Sequence, residues 1–327
     1  MNKIVVITVS FSLLFISFAA AGVLKLSRSA FSDPSYKVVM PEDWKRQGIK
    51  HESWAEGSDL AVSSDQHLYP AVLPIINKFA RDNKLKIAVK EAVCGITKGR
   101  LARKAVDVTT DCCPPGPGDR LPGIKFYTVG IAPLAVLANA DNPVDNITYN
   151  EARSIFQGKV RKWSEVRGRN VAIHPVTRLH CKDRPGMWRL MLPSEELFGT
   201  DIHDVKTIND MIVSVANDPN AIGFESLWQV RNHKQGARVK ALKIDGHDPA
   251  DPAALESGAY PLYLTYVITI WEGEGLENPQ AKRLAGHIMK EIEKVKKPFY
   301  IVTAQSLKKA GWKFRDYELI GEKKGRK

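Results

Sequence analysis

Apolar positions in this chain recur at two spacings, and the switching between them divides it into helices and strands in series. Leu68, Val72, Ile75, Ile76 and Phe79 stand three and four apart, the buried stripe of a helix. Leu85, Ile87 and Val89 stand two apart, a strand with one buried face. Ser63, Ser64 and Asp65 precede the helix, so Ser64 or Asp65 is its expected N-cap. Pro70 suits a first turn, and Pro74 should kink the helix beyond it. Residues 98–105 read as a short helix, and 111–123, crowded with proline and glycine, as a loop. Residues 125–138, β-branched and apolar, read as a strand pair through the middle of the fold, where the chain crosses between two lobes.

The second part repeats the pattern. Thr148 and Glu151 are spaced as a capping box for a helix that buries Ala152, Ile155 and Phe156 and ends at Gly158. A strand follows in 171–179, then a helix with Ile208, Met211, Ile212 and Val215 on one face. Asp218-Pro219-Asn220 turns the chain into a strand at 221–227. Alternation resumes at 260–270, and Leu284, Ile288, Ile292 and Val295 line a late helix. Serial units of this kind predict an α/β protein with mixed sheets flanked by helices.

Outside this pattern lies the N-terminus, where Met1-Asn2-Lys3 precedes an apolar stretch ending in Ala19, Ala20 and Ala21. It has the form of an export leader, and its length is near the roughly 18 residues of a membrane span, so a leader or an N-terminal anchor at 1–21 is expected. Either way the rest of the chain is expected in the periplasm or otherwise outside the cytoplasm. The remaining residues, about 300 of 327, are enough for two lobes with separate cores. The net charge of +12 includes a basic end, Lys323, Lys324, Arg326 and Lys327, read as solvated. A basic surface attracts anions; no nucleic-acid motif accompanies it, so a small anionic solute is the better partner. Trp163, Trp188, Trp228 and Trp271 read as packing, and His51, His203, His233, His247 and His287 as surface residues.

Three separated segments carry a resemblance. Residues 142–166 place an Asn-Pro pair, a capped helix, an Ile-Phe-x-Gly helix end and a Trp-Ser in succession. Pro175-Val176-Thr177-Arg178 leads into a loop at 179–184, and Asn217-Asp218-Pro219 through Ser226 is followed by Tyr260-Pro261-Leu262-Tyr263. In order and spacing these resemble the periplasmic phosphate-binding proteins of ABC-type transporters over roughly 58–307. The resemblance implies a two-lobed periplasmic-binding-protein fold with a strand hinge: lobe one from 57–135 and 240–315, lobe two from 136–239, an N-terminal extension at 22–56 and a basic tail at 316–327. It implies a monomer that binds a phosphate-like anion between the lobes, without catalysis or cofactor, and presents the closed form to a membrane permease. By position the ligand loops are Ser63, Ser64 and Asp65; Cys94 and Gly95; Thr110, Asp111, Cys112 and Cys113; and Arg178 through His180, Cys181 and Arg184. Arg178 suits an oxyanion because a guanidinium offers paired planar donors. Asp65, Asp111 or Asp183, by accepting a proton from the anion, would admit phosphate and reject sulfate.

The departures fall on those same loops, since all four cysteines map to one cleft. Three readings remain open. Exported thiols usually pair, which makes one or two disulfides, in any of three connectivities. A thiolate-bound metal ion or thiophile is the second, with candidates Cys94, Cys112, Cys113, Cys181, His180 and His67. The third is a nucleophile, Cys94 or Cys181, beside His180.

Overall fold

The structure is a computed structural model that describes residues 31–179 and 187–323. The expected leader at 1–21, the loop residues His180, Cys181, Lys182, Asp183 and Arg184, and residues 324–327 lie outside the described residues. A short helix α1 (Glu42–Arg46) opens the chain. Its Trp44 is buried against Trp271, and Lys104 donates to the carbonyls of Trp44 and Gln47 at 2.6 Å. The extension is thereby tied to the body of the protein.

The body opens with a parallel unit: β1 (Leu60–Asp65), α2 (Tyr69–Asn83), β2 (Ile87–Ala92), α3 (Cys94–Ala102) and β3 (Val108–Asp111), with β1 between β2 and β3. The predicted stripe of α2 is buried in full, with Pro70 in its first turn. Pro74 sits inside that helix without ending it. The expected cap at Ser64 or Asp65 is corrected, because both residues complete β1 and Leu68 is the N-cap. The second helix of the unit also starts earlier than its spacing suggested, so that Cys94 is its first residue.

Next comes β4 (Ile124–Asn139), one strand of 16 residues where a strand pair was expected. It is followed by β5 (Asn146–Ile147), α4 (Tyr149–Phe156), β6 (His174–Thr177), β7 (His203–Asp204), α5 (Ile208–Asn217), β8 (Ala221–Ser226) and α6 (Leu227–Asn232). The capping box of α4 forms as read, with Thr148 Oγ1 accepting from the Glu151 amide and Glu151 accepting from that of Thr148. Then β9 (Val239–Ala241), β10 (Lys243–Ile244), α7 (Pro252–Ser257), β11 (Tyr263–Trp271), α8 (Pro279–Val295), β12 (Val302–Thr303) and α9 (Ala304–Lys309) complete the body. A last pair, β13 (Lys313–Arg315) and β14 (Glu318–Gly321), lies in the stretch read partly as a tail. It is anchored rather than loose, because Arg120 pairs with Glu318 at 2.5 Å and Leu319 donates to Thr128.

The main sheet runs β2-β1-β3-β11-β4-β8-β6-β7. The first part of β4 pairs antiparallel with β11, and its last residues, 134–138, pair with β8. A single strand therefore joins two halves, each of which has its own parallel strands: β1, β2 and β3 on one side, β6 and β8 on the other. Trp163, Trp188 and Trp271 are buried, as their packing role predicts, and Trp228 stacks on Phe299. Among the described residues no helix is long and apolar enough to cross a membrane.

The crossing strand is tightest at Gly130, which pairs with both Tyr266 and Thr303. A Cβ there would overlap the Val302 carbonyl oxygen and stand 2.9 Å from Thr303 Cα, backbone atoms that cannot rotate away. Gly130→Ala is expected to lower unfolding free energy by about 1–3 kcal/mol, the usual range for overpacking, in a urea titration.

Candidate functional site

In sheets with parallel strands the crevice beyond the carboxyl ends is where ligands settle. Here β1 ends at Asp65, β2 runs through Val93 into Cys94 at the start of α3, and β3 ends at Asp111 before Cys112 and Cys113. From the other half, β6 ends just before Arg178, and β8 ends with Glu225 and Ser226. Strand polarity alone thus delivers these side chains to one place.

At its centre is His67. Its Nδ1 lies 3.0 Å from Asp65 Oδ1 and its Nε2 lies 2.9 Å from Glu225 Oε1, so the imidazole bridges the two halves. Glu225 also accepts from Arg178 Nη2 at 2.9 Å and from the Ser226 amide at 2.6 Å. All four side chains are at most 2% exposed. Burial pulls the His67 pKa down, but the Glu225 and Asp65 carboxylates outweigh it and raise it to about 10. A doubly protonated ring donates to both carboxylates and has no acceptor left. The 3.3 Å approach of Arg178 Nη2 to His67 Nε2 is therefore a contact between two cations sharing Glu225, not a hydrogen bond. Burial acts on Glu225 in the opposite sense, yet Arg178 and His67 hold its pKa down to about 2. Asp65 is raised to about 7, by burial first and by the neighbouring Cys94 next.

Below this bridge the thiols gather. Cys94 Sγ donates to Asp65 Oδ2 at 3.3 Å and lies 3.5 Å from Cys112 Sγ, which is 3.7 Å from Cys113 Sγ. No disulfide joins these three, as a bond needs about 2.05 Å. The disulfide expectation is corrected for them, and Cys181 lies outside the described residues. The Cys112 and Cys113 thiols are pushed well up: Cys112 by hydrogen bonds from Cys113 and Cys94 and then by burial, Cys113, against a downward pull from its Cys112 hydrogen bond, by its hydrogen bond with Cys94 and by burial. This state is the opposite of an activated nucleophile.

The predicted ligand residues separate under this geometry. Ser64 and Thr110 meet, Oγ to Oγ1 at 2.7 Å, and Thr110 also accepts from the Asp65 amide. Gly95 is exposed at the first turn of α3, with open space where a Cβ would be. Ser63 is set apart, its hydroxyl taken by Arg100 at 3.0 Å. Asp111 accepts from Thr97 at 2.7 Å and from Thr109 at 3.3 Å, so it faces α3 rather than His67. Of the two described carboxylates considered for sharing a proton, Asp65 is in the cluster and Asp111 is not; Asp183 lies outside the described residues. Among the histidines read as surface, His203 and His247 are exposed, whereas His51 is half-buried against Asp107 at 2.7 Å.

Glu225 went unassigned in the sequence. Its signal was present nonetheless: an acid within the apolar run Ala221-Ile222-Gly223-Phe224, every residue of which is buried. A buried acid needs a partner, and a buried strand end is where one is found.

The sequence pattern of the PBP superfamily domain matches residues 51–290. The chain belongs to this superfamily. Among PBP superfamily relatives it is 27% identical over 222 residues to the phosphate-binding protein PstS of Bacillus subtilis, covering 65% of this chain and 70% of that one. In fold it is similar to a putative phosphate ABC transporter substrate-binding protein with bound phosphate from Clostridium perfringens, with TM-score 0.65 and 15% identity over 75% of this chain and 99% of the other. It is also similar to an ABC-type phosphate transport receptor from Vibrio cholerae, with TM-score 0.62 and 19% identity over 74% and 99%. These names are those of binding proteins and receptors, not of enzymes.

The charge bridge sets a pH dependence. Glu225, with its pKa lowered, contributes stability that is present above its unfolded value near 4.5 and is lost as pH falls through about 2. His67, with its pKa raised, contributes below its unfolded value near 6.5 and loses this as pH rises through about 10. Asp65 is raised too, so its share is present below its unfolded value and is lost as pH rises through about 7. Glu225→Gln strands the Arg178 cation, and its expected cost at pH 7 is about 3–5 kcal/mol. Urea titrations at pH 3, 5, 7 and 9 should show that deficit shrinking toward pH 3; a constant deficit would contradict the assignment.

Proposed function

We propose that this chain is an extracytoplasmic solute-binding protein that closes two lobes on phosphate or a closely related oxyanion and delivers it to the permease of an ABC-type transporter. The observation that carries the reading is the buried Arg178, held at a strand end of one half and aimed by Glu225 at the strand ends of the other. The phosphate named in all three of these relatives supports the choice of ligand.

The proposed cycle uses groups already described. Opening separates His67 from Glu225 and the Gln66 carbonyl from Gln229, which now donates to it at 3.1 Å. The Ser64 and Thr110 hydroxyls, the first amides of α3 and the Arg178 fork then face solvent. An uncapped helix N-terminus offers donors and partial positive charge to an anion, and Val93 provides no side-chain cap. Anion binding bridges the halves and shifts the equilibrium toward closure about β4. Lobe one is taken as 57–135 with 240–315, lobe two as 136–239, and the protein as a monomer. The Asp65 carboxylate, ionised in part near neutrality, accepts a hydrogen bond from the P–OH of hydrogen phosphate or its monobasic form; sulfate has no such hydrogen to offer.

Calorimetric titration of the purified chain with phosphate should show one site, and sulfate should not compete. Arg178→Lys keeps the charge but loses the planar fork, so phosphate affinity is expected to fall at least about 30-fold, the lower end for disturbing a buried charge pair. Equal affinity for sulfate, or unchanged phosphate binding by a folded Arg178→Lys, would sink the reading.

A further inference from the structure

We propose that Cys94, Cys112 and Cys113, with Asp65 Oδ2 as fourth donor, form a buried site for a thiophilic divalent cation of the zinc class. The spacing carries the assignment. A tetrahedral zinc ion with bonds of about 2.3 Å to sulfur sets its thiolates about 3.8 Å apart. Cys94 and Cys112 are 3.5 Å apart and Cys112 and Cys113 3.7 Å, so the sulfurs already stand at the separation of neighbouring ligands. All three lie within 4.8 Å of one another, and Asp65 and His67 donors lie within 4.8 Å of Cys112. For one sulfur and one carboxylate oxygen on the same ion, the bond lengths give about 3.6 Å. Cys94 Sγ and Asp65 Oδ2 are 3.3 Å apart.

The supports are rigid. Cys94 is fixed at the first residue of α3, and the other two thiols follow β3, whose register with β1 and β11 is set by paired strands. Asp65 is oriented from behind, because its Oδ1 accepts from the His67 amide at 2.9 Å and faces the His67 ring, which leaves Oδ2 toward the sulfurs. This is the arrangement that holds a ligating carboxylate in one pose. Charge favours the loaded site as well. Three thiolates and a carboxylate around a divalent ion carry net negative charge, and the buried Arg178 guanidinium, always cationic, stands on the far side of the His67 ring that faces Asp65. Binding displaces thiol protons to solvent, three per ion when all three start protonated, with no change of oxidation state.

This site shares Asp65 with the anion reading but not Arg178, which is no donor to the cation, so the two are separable by experiment. The test uses the full chain, reduced and kept anaerobic, in equilibrium dialysis against buffered zinc and, in parallel, cadmium. The expected result is one ion per chain, ultraviolet thiolate-to-cadmium charge-transfer absorption, and release of protons on loading. Cys94→Ser and Cys113→Ser should each weaken zinc at least about tenfold, the least that disturbing a metal's surroundings costs, while Arg178→Lys, which impairs phosphate, should leave zinc unchanged. Absence of the charge-transfer band in the wild-type chain overturns the proposal, even where a serine variant fails to fold. So does zinc affinity that both folded serine variants retain.

Discussion

An imidazolium held between two carboxylates organises the centre of this molecule. Asp65 and Glu225 come from opposite halves of the sheet, both are buried, and each would repel the other and resist losing water without the cation between them. Buried ion groups are costly unless every member is paired. Here the pairing is complete only when the halves meet: His67 satisfies Asp65 from its own half and Glu225 from the other, and Arg178 completes the balance. Contact between the halves and neutralisation of these charges therefore go together. That coupling is what a binding protein needs, because a charged ligand can alter the same balance and so favour or oppose the closed state.

The sheet explains why these groups coincide. Parallel strands end on the same side, and joining two parallel sets through β4 turns both sets of ends toward one crevice. On that side α3 begins, with Gly95 exposed in its first turn and the three thiols buried beside it. The close passage of β4 beneath β12 at Gly130 leaves no room for a side chain, which fixes the two halves about one strand.

Much of this was legible in the sequence, for definable reasons. Period and capping chemistry located α2, α4, α5 and α8, because stripes such as Leu284, Ile288 and Ile292 have one stable way to be buried. The α4 capping box was readable because its two hydrogen bonds are local. The start of α3 was missed, since Cys94-Gly95 breaks helical preference and only tertiary position makes it a first turn. Position in the resemblance brought Asp65, Cys94, Thr110, Cys112 and Arg178 near one place. It also included Ser63 and Asp111, whose hydrogen bonds point to Arg100 and Thr97. Glu225 escaped because a single acid in an apolar strand has no periodic signature, and its partners are 47 and 158 residues away.

The most direct test is a crystal structure of the chain grown with phosphate. The account predicts one anion at the strand ends, within hydrogen-bond distance of the Arg178 guanidinium and the first amides of α3, with residues of both halves around it. An anion confined to the outer pocket lined by Gln157, Arg161, His174 and Phe198, with the strand ends vacant, would contradict the account.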